Sequence, residues 1–241
     1  MTSSEIEETS ASPSSGITAA SKTSRTAQTA STPAVKTTRT KPPSLSGGHY
    51  IQPAGADWNL KLVNKWNPID SNYAQSLFTW SGVNKFDSRA IGKLRALVSA
   101  GSKYNIRVAS LYRSIEKQTE LFNREVNRYI AQGKSRTEAE DLASTLVARP
   151  GTSEHNLGLA ADLLFGNYST LETSYETTAA YSWMMAHCAD YGFILRFPKN
   201  KQRVTGVTFE PWHYRYVGEE AAHEIMSRGL TLEEYLQEKG K

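Results

Sequence analysis

Two short stretches in the C-terminal half of the chain carry residue types that can bind a metal and use it. Ser153-Glu154-His155-Asn156-Leu157-Gly158-Leu159-Ala160-Ala161-Asp162 offers an imidazole and a carboxylate, and Glu210-Pro211-Trp212-His213 offers a carboxylate followed by an imidazole. Two neutral nitrogens, one anionic oxygen and a spare base are the inventory of a catalytic zinc site, in which three protein ligands leave a fourth position for water. Such a centre lowers the pKa of its water towards ~7. With His155, Asp162 and His213 as ligands, Glu210 is left as the general base that takes the water's proton and later delivers it to a leaving amine. The small Gly158, Ala160 and Ala161 permit close backbone packing beneath the metal, and Pro211 fixes its own φ and so stiffens the step from Glu210 to His213. Glu154 is a second carboxylate beside a ligand and is expected to point away from the metal, as a solvated or supporting group.

The two motifs, in this order, resemble the signature of the zinc D-alanyl-D-alanine carboxypeptidases of the VanY type. Their wider group includes vancomycin-resistance dipeptidases, L,D-carboxypeptidases and phage endopeptidases. Ser110-Leu111-Tyr112-Arg113-Ser114 with Gln118 is similar to a third segment of that family, and Ala148-Arg149-Pro150-Gly151 and Gly192-Phe193-Ile194-Leu195-Arg196-Phe197-Pro198 agree in the flanks. The resemblance covers roughly residues 57 to 220. It implies zinc on His155, Asp162 and His213, Glu210 as base, Arg113 at the oxyanion or the peptide C-terminus, and Ser153, Gln118 and Trp212 against substrate. Arg113 also has a physical case of its own: a guanidinium offers planar paired donors to a carboxylate and a fixed positive charge to a developing oxyanion. The implied reaction is removal of the terminal D-alanine from peptidoglycan stem peptides. An L,D-carboxypeptidase acting on wall tetrapeptides, and a zinc-containing binding module without hydrolysis, are the alternatives. At Asn156-Leu157, relatives often carry Gln-Thr, a difference that bears on fine specificity.

Other chemistries fit less well. Ser153 lacks a nucleophile elbow, and one imidazole cannot serve both a zinc ion and a serine. His49, His187 and His223 stand apart from carboxylate motifs and read as structural or surface residues. The lone Cys188 lies in an apolar helical pattern and reads as a buried thiol. The basic stretch 196–203 comes with no base-stacking module, so no nucleic-acid partner is expected.

The 241 residues allow one sizeable domain and a tail, and a net charge of +4 is a mild basic excess. Residues 1–46 are dominated by serine and threonine, cannot offset their ordering entropy by burial, and read as a disordered spacer ahead of a catalytic domain at 47–241. No apolar run is long enough to span a membrane and no signal peptide is visible. Wall chemistry nevertheless places the enzyme outside the cytoplasm of a bacterium, Gram-positive by expectation, so an export signal or membrane anchor is expected beyond the given sequence. A monomer is the default expectation.

The positioning elements follow from periodicity. Alternation predicts a strand at 57–64, and apolar spacing predicts a helix over 87–104 through Ile91, Leu94, Leu97 and Val98. A strand at 106–111 should run up to Arg113, a helix capped by Ser114 should follow, and another should cover 137–147. Residues 159–165 read as a strand carrying Asp162, 178–191 as a helix stopped by Gly192, and 193–197 and 204–209 as paired strands. Helices at 218–228 and 232–238 close the chain. Strands and helices without regular alternation define an α+β fold, with helices around a small, mainly antiparallel sheet.

Overall fold

The computed structural model describes residues 50–240 apart from 53, 56 and 70–72, so the segment 1–46 read as a disordered spacer lies outside the described residues. A 3-10 turn at Trp58–Leu60 opens the fold. Strands β1 (Leu77–Ser81) and β2 (Asn84–Asp87) then form an antiparallel hairpin. Helix α1 (Ile91–Ala100) buries Ile91, Leu94 and Leu97 at the expected spacing and leads through a 3-10 turn to β3 (Arg107–Ser110). Helix α2 (Ile115–Ala131) begins where Ser114 Oγ accepts from the Lys117 amide, and α3 (Arg136–Ala143) is capped in the same way by Ser135. After β4 (Ala160–Leu164), helix α4 (Ala179–His187) tightens into a 3-10 turn and ends at Gly192 with φ 79°, a left-handed cap. The chain continues through β5 (Phe193–Leu195), the short α5 (Gln202–Thr205), β6 (His213–Tyr216), α6 (Glu219–Arg228) and α7 (Leu232–Lys239).

The α+β expectation holds. The larger sheet has the order β3-β4-β6-β5, every neighbouring pair antiparallel, with Asp162 opposite His213 and Ala160 opposite Arg215. Side chains alternate across a strand, and this separates two environments. Ala161, Leu163, Tyr214 and Tyr216 join Leu94, Leu97 and Met184 in the main core, whereas Asp162, His213 and Arg215 share the other face. A second apolar cluster, including Ile194, Ile225, Leu232 and Leu236, seats α6 and α7.

Three predicted elements differ. Residues 57–64 form no strand but the opening turn and an isolated bridge between Asn64 and Asn67, where the Asn64 side chain accepts from the Trp66 and Asn67 amides. Such local side-chain bonding competes with a sheet ladder. Residues 204–209 form no strand either, because the backbone coils into α5, and the partner of β5 is β6. The helix expected at 137–147 starts one residue earlier on the Ser135 cap and ends at Ala143.

The hairpin is fastened to the segment that carries His155. The Asp87 amide donates to Gly158 O at 2.9 Å. Gly158 has φ 80°, and a Cβ there would lie 2.7 Å from Leu77 Cδ2. Gly158→Ala should therefore lower stability by about 1–3 kcal/mol through combined backbone strain and crowding. Urea denaturation checks this, and an unchanged midpoint would mean that the hairpin yields freely.

Candidate active site

Each element delivers one side chain. After α3 the chain reaches Ser153, turns through a short 3-10 helix at Glu154–Leu157, and reverses at Gly158 into β4. The turn buries His155, whose Nδ1 lies 2.6 Å from Leu111 O. A carbonyl only accepts, so Nδ1 carries the proton, and the Nε2 lone pair is free to face Asp162 Oδ2 at 3.1 Å. His213 opens β6 directly opposite Asp162, with its Nδ1 3.1 Å from Asp162 Oδ1. The two imidazole rings meet edge to face, their centroids 5.0 Å apart. One donor atom from each of His155, Asp162 and His213 lies within 4.8 Å of the others, and all three residues are buried. The sequence-predicted ligand set is thus brought together.

Glu210 is mostly buried, with Oε2 3.7 Å from His213 Nδ1. Burial, reinforced by the nearby Asp162 carboxylate, pushes its carboxyl up to about 8. Arg113 enters from the turn after β3. Its Nη2 stands 3.7 Å from Asp162 Oδ2, and its guanidinium donates to Gln118 Oε1 (2.8 Å) and Ser110 Oγ (3.1 Å). The Arg113 amide donates to His155 O and the Asn156 side chain donates to Arg113 O, so the first and third motifs are clamped together. Gln118, expected to contact substrate, lines the cleft but is fully buried, its Nε2 donating to Ala148 O at 2.7 Å. In this structure both ends of its amide are engaged, and it holds the guanidinium. Ser153 and Trp212 line the same cleft of about 330 Å³, together with Lys65 and Arg124.

Burial opposes charge on Asp162, but the two histidines outweigh it and hold its carboxyl well below the usual carboxylate range. Burial pushes His155 down, which keeps its ring neutral. Burial also opposes charge on His213, yet hydrogen bonding to Asp162 and Glu154 raises it to about 9. Of the two readings of Glu154, a solvated or a supporting group, the geometry matches the supporting one: it turns away from the ligand atoms and is buried, with Oε2 3.4 Å from His213 Nε2. Sequence reasoning missed its partners, Arg196 and Arg215, which are fully buried on the same carboxylate. Arg196 falls in a segment already noted as similar to the family, and that was the available signal. Cys188 is buried as expected, and burial lifts its thiol to about 12, leaving it unreactive.

The donor set fits zinc: two imidazole nitrogens with opposite ring atoms inward, one carboxylate, and an outer acceptor for each imidazole. With the Glu210 carboxyl and the Arg113 guanidinium facing the same cleft, fold and site together have the layout of a mononuclear metallohydrolase. Comparison with known proteins agrees. Residues 83–219 match the family described as VanY, D-alanyl-D-alanine carboxypeptidase. A D-alanyl-D-alanine carboxypeptidase of Enterococcus faecalis (strain ATCC 700802 / V583) is 43% identical over 183 residues, covering 75% of this chain and 66% of the relative's length. A glutamate-to-alanine variant of the vancomycin-resistance D,D-pentapeptidase VanY from a VanB-type cassette, crystallised with Zn(II), is 42% identical with a TM-score of 0.67, covering 75% of this chain and 99% of that one. The LD-carboxypeptidase LdcB is 34% identical with a TM-score of 0.64, over 73% and 84%. The chain belongs to the VanY family.

A divalent cation must displace the proton that His213 holds up to about pH 9, whereas Asp162 and His155 need lose none near neutrality. Apparent zinc affinity should therefore rise about tenfold per pH unit between 7 and 9 and then level off. Chelator competition across that range checks the slope, and a flat profile would contradict it.

Proposed function

We propose that this protein is a zinc-dependent D,D-carboxypeptidase that removes the C-terminal D-alanine from peptidoglycan stem peptides. The observation that carries the reading is the convergence of His155, Asp162 and His213 within 4.8 Å, with Glu210 Oε2 3.7 Å from the nearest imidazole nitrogen. Bound zinc would supply a Lewis acid that lowers the pKa of its water to ~7 and polarises the scissile carbonyl. Glu210 accepts the water's proton on its carboxylate and returns it to the departing D-alanine nitrogen. Its raised affinity for a proton suits it to both steps. Arg113, held by Gln118 and Ser110, presents fixed positive charge where the oxyanion develops or where the terminal carboxylate sits. Ser153 offers a hydroxyl and Trp212 a wall along the cleft, and Leu146 and Val207 add apolar surface suited to the methyl groups of alanine. His155 and His213 serve only as ligands, because their remaining nitrogens are turned to Leu111 O and Glu154.

A substrate in the wall places the enzyme outside the cytoplasm, and the reading includes export or anchoring in a Gram-positive cell, action as a monomer, and a catalytic domain at 47–241 behind a spacer. Among the described residues no helix is long and apolar enough to cross a membrane. The 34% identity to an LD-carboxypeptidase keeps tetrapeptide trimming as the second reading.

Zinc-loaded protein incubated with pentapeptide and tetrapeptide muropeptides should release one alanine from the pentapeptide in a chelator-sensitive way, read by mass spectrometry. Release from the tetrapeptide alone would move the assignment to L,D. Glu210→Gln should lower kcat about 10²–10⁴-fold while zinc content stays unchanged, and full activity in that variant would remove Glu210 from the mechanism.

A further inference from the structure

Beneath His213 lies a chain of buried charges that the hydrolytic mechanism does not use. Glu154 Oε1 accepts from Arg196 Nε at 2.7 Å and from Arg215 Nη1 at 2.8 Å. Arg196 then makes a two-pronged bond to Glu233, Nη1 to Oε2 at 2.9 Å and Nη2 to Oε1 at 2.6 Å. Glu233 Oε1 also accepts from Asn64 Nδ2 at 3.1 Å, and Arg215 spends its other donors on the carbonyls of Asn59, Lys61 and Tyr216. All four charged residues are at most 3% exposed. Two carboxylates face two guanidiniums, so the cluster is neutral overall. Burying four charges is nonetheless a poor route to stability, since well-packed apolar residues of similar volume usually do as well or better. The feature that apolar residues could not reproduce is at one end of the chain. Glu154 Oε2 and His213 Nε2 are both buried, neither has a hydrogen-bond partner elsewhere, and they face each other at 3.4 Å.

Building on the zinc reading above, we propose that Glu154 is a positioning residue that fixes the tautomer and aim of His213, and that the buried Glu154–Arg196–Glu233 chain ties this metal ligand on β6 to helix α7. Glu154 accepts the Nε2 proton and leaves the Nδ1 lone pair turned to the metal. Both of its Oε1 bonds come from arginines in or beside the two neighbouring strands β5 and β6, which prevents the carboxylate from rotating away. Glu233 stands in the first turn of α7, where the helix N-terminus also favours negative charge. Through Arg196 it sets the position of a carboxylate that touches the ligand, so the end of the chain takes part in holding the metal.

The test is zinc affinity by chelator competition, with thermal melting recorded on the same samples. Glu154→Gln should raise the zinc dissociation constant about 10–100-fold. Because that change strands two buried arginines, a second variant, Arg196→Met combined with Glu233→Leu, replaces one ion pair by apolar groups of similar volume; it cuts the link to α7 and the Arg196 bond to Glu154, and leaves Arg215 on that carboxylate. It should melt near the wild-type temperature yet bind zinc more weakly. Wild-type affinity in both variants would overturn the inference, whereas failure of the wild-type protein itself to bind zinc would overturn the zinc reading beneath it. Independently of any variant, nitrogen-15 NMR of the zinc-loaded wild type should show His213 protonated at Nε2 with a slowly exchanging proton, and an Nε2 without a proton would overturn the proposal.

Discussion

The antiparallel pairing of β4 with β6 is the constraint from which the rest of the site follows. It sets Asp162 opposite His213, residues 51 positions apart in the chain, and sends both side chains to the face of the sheet away from the main core. A slip of one residue would put Tyr214 where His213 stands and bury the imidazole among Leu94 and Met184. The apolar residues of the opposite face therefore do more than stabilise the sheet. Tyr214, Tyr216, Ala161 and Leu163 fix the register, and the register fixes the ligand geometry. The remaining parts are fastened to this pair: His155 by Leu111 O, Arg113 by His155 O and Gln118, and the hairpin by Gly158.

Much of the site was readable from residue types, because metal chemistry needs particular donors and those donors sit in short contiguous motifs. Amphipathic helices were readable for a similar reason: Ile91, Leu94 and Leu97 mark one face, and Ser114 marks a start. Strands were harder. Here β5 and β6 are three and four residues long and buried along their whole length, so no alternation distinguishes them. The β1–β2 hairpin went unread although Phe78-Thr79-Trp80 favours a strand and Gly82 a turn. Its Phe78 and Val83 are exposed, and only Phe86 and Asp87 at the end of β2 are buried, too short a run to read as an alternating stripe. Residues 57–64 alternated convincingly, yet Asn64 prefers to bond its neighbours. Glu154, Arg196 and Glu233 were the least legible, since nothing local tells a charge that will be buried and paired from one that faces water.

Two electrostatic environments lie side by side across His213. On the cleft side, Asp162 is held strongly acidic while burial raises the proton affinity of Glu210. Both are carboxyls in largely buried surroundings. The difference is that two imidazoles bond to Asp162, whereas for Glu210 burial, with Asp162 beside it, outweighs the opposing charge of His213 and Arg113. Under the proposed function, that separation of proton affinities divides the ligand Asp162 from the base Glu210 within one cluster. On the far side, Glu154 stays ionised because two guanidiniums outweigh its burial.

The two histidines are oriented by partners of different kinds. His155 leans on the main-chain carbonyl of residue 111, a group present whatever side chain that position carries. His213 faces a carboxylate that only one residue type at 154 provides in the same form. One half of the proposed metal centre is thus insulated from single-codon change in its orienting partner, and the other half is exposed to it. Drift in sequence should erode the centre from the His213 side first, along the path through Glu154, Arg196 and Glu233, while the His155 side persists as long as the backbone around Leu111 keeps its course.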